Sequence, residues 1–248
     1  AFPKKPTTLY YLSIPPSVFG AVITSLRDSG SVIKGDDMKS VIVEKPFGYD
    51  TETAKALNVT LYGTFDESQI YRIDHYLGKE AIMNLMIMRF ANIIFEPVWN
   101  RDYIESVTVA WEEDKNIGDR GGYFDKAGII RDVIQNHLLQ ILALVTMERP
   151  ESYQSKSIMS EKIKAVRSIK PISLDECVLG QYINGVCGGK AVKGYTEEES
   201  VPDGSQRETY AKIKLSLNSP RWSGVPFYLS AGKALTKRAT EIIIQFKK

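Results

Sequence analysis

The stretch Arg72-Ile-Asp-His-Tyr-Leu-Gly-Lys-Glu80 gathers an acid, an imidazole, a phenol, an ammonium and a flexible glycine into a few positions. If it turns helically, His75 and Lys79 stand at i and i+4 on one face, with Asp74 to the side. Lys79 then offers a compact ammonium, His75 a donor that charges easily beside a dianion, and Tyr76 a hydroxyl; the set suits a phosphate monoester. The ordinary alternative is a helix start, with Asp74 as its cap and His75 as a satisfied polar residue. The chain has one other histidine, His137. It sits on an apolar stripe of Ile130, Val133, Ile134, Leu138, Ile141 and Leu142, beside Asp132, Gln135 and Asn136. Such a histidine is ordinarily a core residue. At the edge of a cleft it can act as a general base, provided a carboxylate fixes its tautomer, and Asp74 is the candidate for that role.

The elements that must position these residues follow from the pattern. Leu9–Ile14 and Val41–Val43 are apolar runs stopped by prolines and Gly48, and read as buried parallel strands around a helix at Val18–Leu26. Strand, helix, strand is half of a doubly wound nucleotide-binding domain. A further helix starts after Asp50 as N-cap and runs towards Tyr62. From Tyr71 the pattern changes: helices are expected at Glu80–Phe90, Gly128–Glu148 and Glu161–Ile169, and strands at Ser106–Trp111, Ala211–Leu217, Val225–Ser230 and Glu241–Phe246. Strands clustered late suggest a mostly antiparallel sheet with helices on one face. The fold class is therefore α/β followed by α+β: residues 1–70 as half of a Rossmann-like domain, and 71–248 as a larger domain; the family resemblance described below implies that these are the second half of a coenzyme domain and part of a substrate-binding and dimerisation domain. The glycine-rich stretch Gly185–Gly194 reads as a loop.

Composition bounds the partners. The 248 residues are 43% hydrophobic and 25% charged, with a net charge of +2, which fits a globular chain and argues against a broad nucleic-acid or membrane surface. Two cysteines without CxxC or a nearby histidine indicate neither a zinc site nor a disulfide framework, and a cytoplasmic setting is expected. No targeting leader is read at the start, and the ends read as cuts through a longer protein. The G-x-G-x-x-G turn that holds pyrophosphate does not occur in the chain; the family resemblance described below implies that it lies upstream of Ala1.

RIDHYLGKE, followed by RFAN (89–92) and PVWNRD (97–102), together with EKPFG (44–48) and RDVIQNH (131–137), resembles the glucose-6-phosphate dehydrogenase family. The likeness extends over nearly the whole chain, most strongly from Ser40 to Pro150. It implies oxidation of glucose 6-phosphate at C1 to the lactone, with NADP as coenzyme, in a homodimer or homotetramer. His137 would take the C1 hydroxyl proton and Asp74 would orient it. His75, Tyr76 and Lys79 would hold the phosphate, with Lys233 and Arg238 adding positive charge. Lys45, Glu113, Asp132 and Lys233 would position the sugar. Lys45, its direction fixed if Pro46 is cis, would also meet the nicotinamide ribose, and Phe19 would either pack on the coenzyme or in the core. Members with a second, structural NADP place an arginine just before GKAL (232–235); Ser230-Ala231 stands there here, which counts against that second coenzyme. Two other readings remain: a sugar-phosphate-binding or oligomerisation fragment without turnover, and, more weakly, an Asp/His metal enzyme, whose ligands lack i, i+4 spacing.

Overall fold

The computed structural model describes residues 7–187 and 189–248. Ala1 and Gly188 of the glycine-rich stretch lie outside the described residues. The chain divides into two compact units, Ala1–His75 and Tyr76–Lys248.

The smaller unit runs β1 (Thr8–Leu12), α1 (Phe19–Asp28), β2 (Lys39–Glu44), α2 (Thr51–Thr64) and β3 (Ile70–Ile73). The strands pair in parallel in the order β1-β2-β3. Because the strand order never reverses, crossovers of the usual right hand put both helices on the same face. There Phe19, Ile23 and Leu61 pack on Leu12, Val41, Val43 and Ile70. The opposite face is open: Leu9, Tyr11 and Tyr71 are each more than half exposed. That corrects the reading of β1 as a strand buried on both sides. Phe19, read as packing either on the coenzyme or in the core, is 1% exposed inside this core. Asp50 caps α2 as expected, its carboxylate accepting from Thr53 N at 2.8 Å while the Thr53 hydroxyl accepts from Asp50 N. Strand β3 was not expected. Gln69, 1% exposed, leads into it and donates to the carbonyls of Asp36 and Lys39.

A turn at His75–Gly78 runs from the last residue of the smaller unit into the larger one, which continues through α3 (Glu80–Ala91) and β4 (Ile104–Glu112). Then come α4 (Gly121–Ile129), a π-helical segment (Ile130–Leu138), α5 (Leu139–Thr146) and α6 (Ser155–Arg167). Strands β5 (Cys177–Gly180), β6 (Gly185–Cys187), β7 (Lys190–Val192), β8 (Tyr210–Leu215), β9 (Phe227–Gly232) and β10 (Ala239–Phe246) complete it. Its main sheet has the order β10-β4-β9-β8-β5. Three of the four pairings are antiparallel, and β4 with β9 is parallel. Alternation in β8 puts Ala211, Ile213 and Leu215 into the core and Lys212 and Lys214 into solvent. The buried face carries the helical layer, with Val107, Val109, Phe227 and Leu229 in one cluster with Ile134, Leu138, Ile141 and Leu142. The glycine-rich stretch is no simple loop, because β6 and β7 pair as a hairpin. No helix among the described residues is long and apolar enough to cross a membrane.

Candidate active site

The helix expected over Gly128–Glu148 starts earlier and changes its winding. Gly128 adopts φ 71°, ψ 171°, a region open essentially to glycine, and a Cβ there would stand 2.1 Å from Glu208 Oε1. The chain restarts against Glu208: Ile129 N donates to its carbonyl at 3.1 Å and Ile130 N to its carboxylate at 3.4 Å. A carboxylate on the first free amides of a helical segment is electrostatically favoured.

From Ile130 to Leu138 the winding is π-helical. In an α-helix, residues five apart stand about 140° apart around the axis; i→i+5 pairing brings them to about one turn. Asp132 and His137 are five apart, and both are buried, at 7% and 3% exposure. The Asn136 side-chain amide donates to Arg131 O at 3.1 Å, and its oxygen accepts from His137 N at 2.7 Å. The π winding is thus the local reason that two polar side chains share one side of an otherwise apolar rod. Hydrophobic spacing does not encode it, so the sequence could not give it.

His137 is stacked on Tyr76, with ring centroids 4.2 Å apart and 25° between planes. Tyr76 is 7% exposed, and its hydroxyl accepts a short hydrogen bond from the Trp111 indole. Lys79 Nζ lies 3.4 Å from the centroid of the same Tyr76 ring. A cation on an aromatic face is worth on the order of 1 kcal/mol, little enough for an incoming dianion to outbid. Lys79 therefore has a resting place inside this unit. The expected helical face of His75 and Lys79 is not formed: the turn ends at Gly78, Lys79 is extended at ψ 134°, and α3 starts afresh at Glu80.

Glu113 and Lys233, both expected to position the sugar, are paired at 2.6 Å. The loop after β9 is held beside the end of β4 by Glu113 N to Gly232 O at 3.0 Å and Leu235 N to Glu113 O at 2.9 Å. Lys233 is 6% exposed and lies 5.3 Å from the Trp111 ring and 5.6 Å from the Phe124 ring. Arg238 is exposed just before β10. Trp111 and Phe124 were not singled out from sequence. The available signal was an indole ending a strand one residue before two glutamates.

In the smaller unit, Lys45 is half-buried at the carboxyl end of β2, and its bond to Pro46 is cis. Asp74 is half-buried and His75 exposed, just beyond β3. A parallel sheet with a lysine at a strand's carboxyl end fits one edge of a nicotinamide dinucleotide, although the chain holds no glycine turn for the pyrophosphate.

Comparison with known proteins converges on one family. The family model "Glucose-6-phosphate dehydrogenase, NAD binding domain" matches residues 2–84, and "Glucose-6-phosphate dehydrogenase, C-terminal domain" matches 86–248. The chain is 47% identical over 244 residues to a glucose-6-phosphate 1-dehydrogenase of Aggregatibacter actinomycetemcomitans, covering 97% of this chain and 49% of that one. It is 50% identical over 241 residues to that of Caenorhabditis elegans, covering 96% and 46%. A solved glucose-6-phosphate dehydrogenase in complex with glucose 6-phosphate is similar at a TM-score of 0.90 and 44% identity, covering 97% of this chain and 49% of that chain. The chain thus spans about half the length of the curated relatives it matches.

Proposed function

Because the chain belongs to the glucose-6-phosphate dehydrogenase family, we propose that it supplies most of the substrate site of an enzyme that oxidises glucose 6-phosphate at C1. The observation that carries the reading is His137 itself: an imidazole 3% exposed, stacked on Tyr76, on the side of a π-helical segment that also carries Asp132. A buried imidazole held by stacking on one ring face is fixed in place, which a base needs more than it needs exposure.

In this reading His137 takes the proton of the C1 hydroxyl, and the oxygen's electrons form the lactone C=O as hydride leaves C1. A bound nicotinamide coenzyme would supply the acceptor for that hydride. Asp132, with Glu113 and Lys233 as a polarised pair, would receive the sugar hydroxyls. Lys79 would leave the Tyr76 ring for the phosphate, joined by the Tyr76 hydroxyl, His75 and Arg238. By family likeness Asp74 fixes the imidazole tautomer and Lys45 positions sugar and coenzyme. The smaller unit would then be half of a dinucleotide-binding domain. NADP rather than NAD, a cytoplasmic setting, and a homodimer or homotetramer of the whole protein rest on the same likeness. A fragment function without turnover has no observation of its own in its favour.

The test is His137→Asn in the full-length enzyme. Turnover should fall about 10³-fold with glucose 6-phosphate affinity nearly unchanged, because proton transfer and positioning are separable. Lost affinity with intact turnover would refute the role.

A further inference from the structure

The RFAN and PVWN stretches are outside the chemistry above, yet their most buried polar side chains converge on the end of the rod that carries His137. The last turn of any α-helix leaves four carbonyls without intrahelical donors. Here that turn is buried: Leu144, Val145, Thr146 and Met147 are at most 5% exposed, so water cannot supply the donors. Side chains from elsewhere do. Arg89 donates to Leu144 O at 2.7 Å and to Met147 O at 3.0 Å, Trp99 Nε1 to Val145 O at 2.8 Å, and Trp222 Nε1 to Thr146 O at 2.8 Å. Arg89 is fully buried, against the rings of Phe90 and Trp99, with Glu96 3.4 Å away. Burial pushes its guanidinium down to about 10, against the pull of Glu96, which leaves it protonated at neutral pH. A cation is also the favoured charge at a helix C-terminus.

We infer that Arg89, aided by Trp99 and Trp222, is a positioning residue that sets the depth and rotation of His137 by pinning the far end of its helix. The inference rests on the reading of His137 as the base. π winding is uncommon and advances less per residue than α winding, so the segment could relax only if one end slid or turned. Gly128 and Glu208 hold the near end, and the guanidinium and the two indoles hold the far end. From His137 to Thr146 is nine residues, about 13 Å of stiff helix, so a slip at the end reaches the imidazole undiminished. Arginine is needed because two separate nitrogens serve two carbonyls; a lysine has one.

The experiment is a double-mutant cycle in the full-length enzyme, with rates normalised to folded protein. Arg89→Lys keeps the charge and should lower kcat roughly tenfold while leaving the KM for glucose 6-phosphate within about twofold. Trp222→Phe keeps the ring packing and should shift kcat the same way by less. If Arg89→Lys does not fold, Trp222→Phe carries the same cycle. In a His137→Asn background either change should cost nothing further, because the base it positions is gone. An unchanged kcat, or the same fold-loss with and without His137, overturns the inference. Full turnover by His137→Asn alone would instead remove the base reading, and this inference with it.

Discussion

In the larger unit, Tyr76, Asp132, His137 and Lys233 are each at most 7% exposed and are held by packing, whereas in the smaller unit Lys45, Asp74 and His75 stand beyond strand ends, half-buried or exposed. The contrast follows from the elements. A parallel strand ends in a loop, and whatever follows it projects from the sheet's edge. A rod buried against a five-stranded sheet can offer a polar group only from within its own core, and here it does so by changing its winding. Substitutions at these buried positions of the larger unit should therefore cost stability together with activity, and those at the strand ends of the smaller unit mainly activity.

The largest expected effect lies where the rod begins. Gly128→Ala puts a Cβ 2.1 Å from Glu208 Oε1 and 2.7 Å from Arg207 Cδ, at a backbone conformation that L side chains rarely adopt. The cost should be about 3 kcal/mol, and any surviving protein should be nearly inactive because the rod restarts at that point. Chemical denaturation and kinetics of the same preparation read both. Gly20→Ala is the control within the smaller unit, since nothing lies within 4 Å of the added carbon. Comparable losses for the two glycines would erase the contrast.

How much of this was legible in the sequence depends on what each residue type reports. The apolar spacing of Val133, Ile134, Leu138 and Ile141 placed His137 on a buried rod, because burial leaves a periodic trace. The hydrogen-bond slip from α to π leaves none. Pairing direction is equally silent: nothing in Phe227–Gly232 says that β9 lies parallel to β4. Strand β3 has four residues with Arg72 inside, too few to show alternation, and β6 and β7 hid in a glycine-rich stretch that read as a loop. Arg89 was visible only as a cation in the last turn of a mostly apolar helix, EAIMNLMIMRFA. That signal marks a candidate buried guanidinium, but its acceptors lie 55 and 58 residues away.

A sharper test pairs two lysines. Lys233 is 6% exposed and bonded to Glu113 at 2.6 Å, while Lys45 is half-buried at the end of β2. Lys233→Met breaks an ion pair whose acid keeps 21% of its side chain exposed. The cost should therefore be about 2 kcal/mol, below that of a fully buried pair, with sugar affinity also reduced. Lys45→Met should cost less than Lys233→Met and still lower turnover about tenfold. Melting scans beside steady-state kinetics separate the two; equal stability losses would mean that the smaller unit's lysine is as much a part of its core as the larger unit's.

The smallest effect probes the larger unit's core by pH. Tyr195 is 0% exposed and donates to Asp125 Oδ1 at 3.0 Å. Burial first, and then the Asp125 carboxylate, hold its phenol well above the usual tyrosine range, and burial does the same for Tyr182. A raised folded value means that the unfolded chain ionises first. The contribution is complete below about pH 10 and is lost as pH climbs from there through the folded value. Tyr195→Phe should cost about 1 kcal/mol near neutrality, for one hydrogen bond to an acid that still accepts from Ser205. It should also shrink the fall in denaturation midpoint between about pH 8 and about pH 11, because one of the phenols that drives that fall is gone. A fall as steep in the variant as in the wild type would mean that alkali opens the molecule elsewhere, and that the core behind the larger unit's site residues is not what limits it.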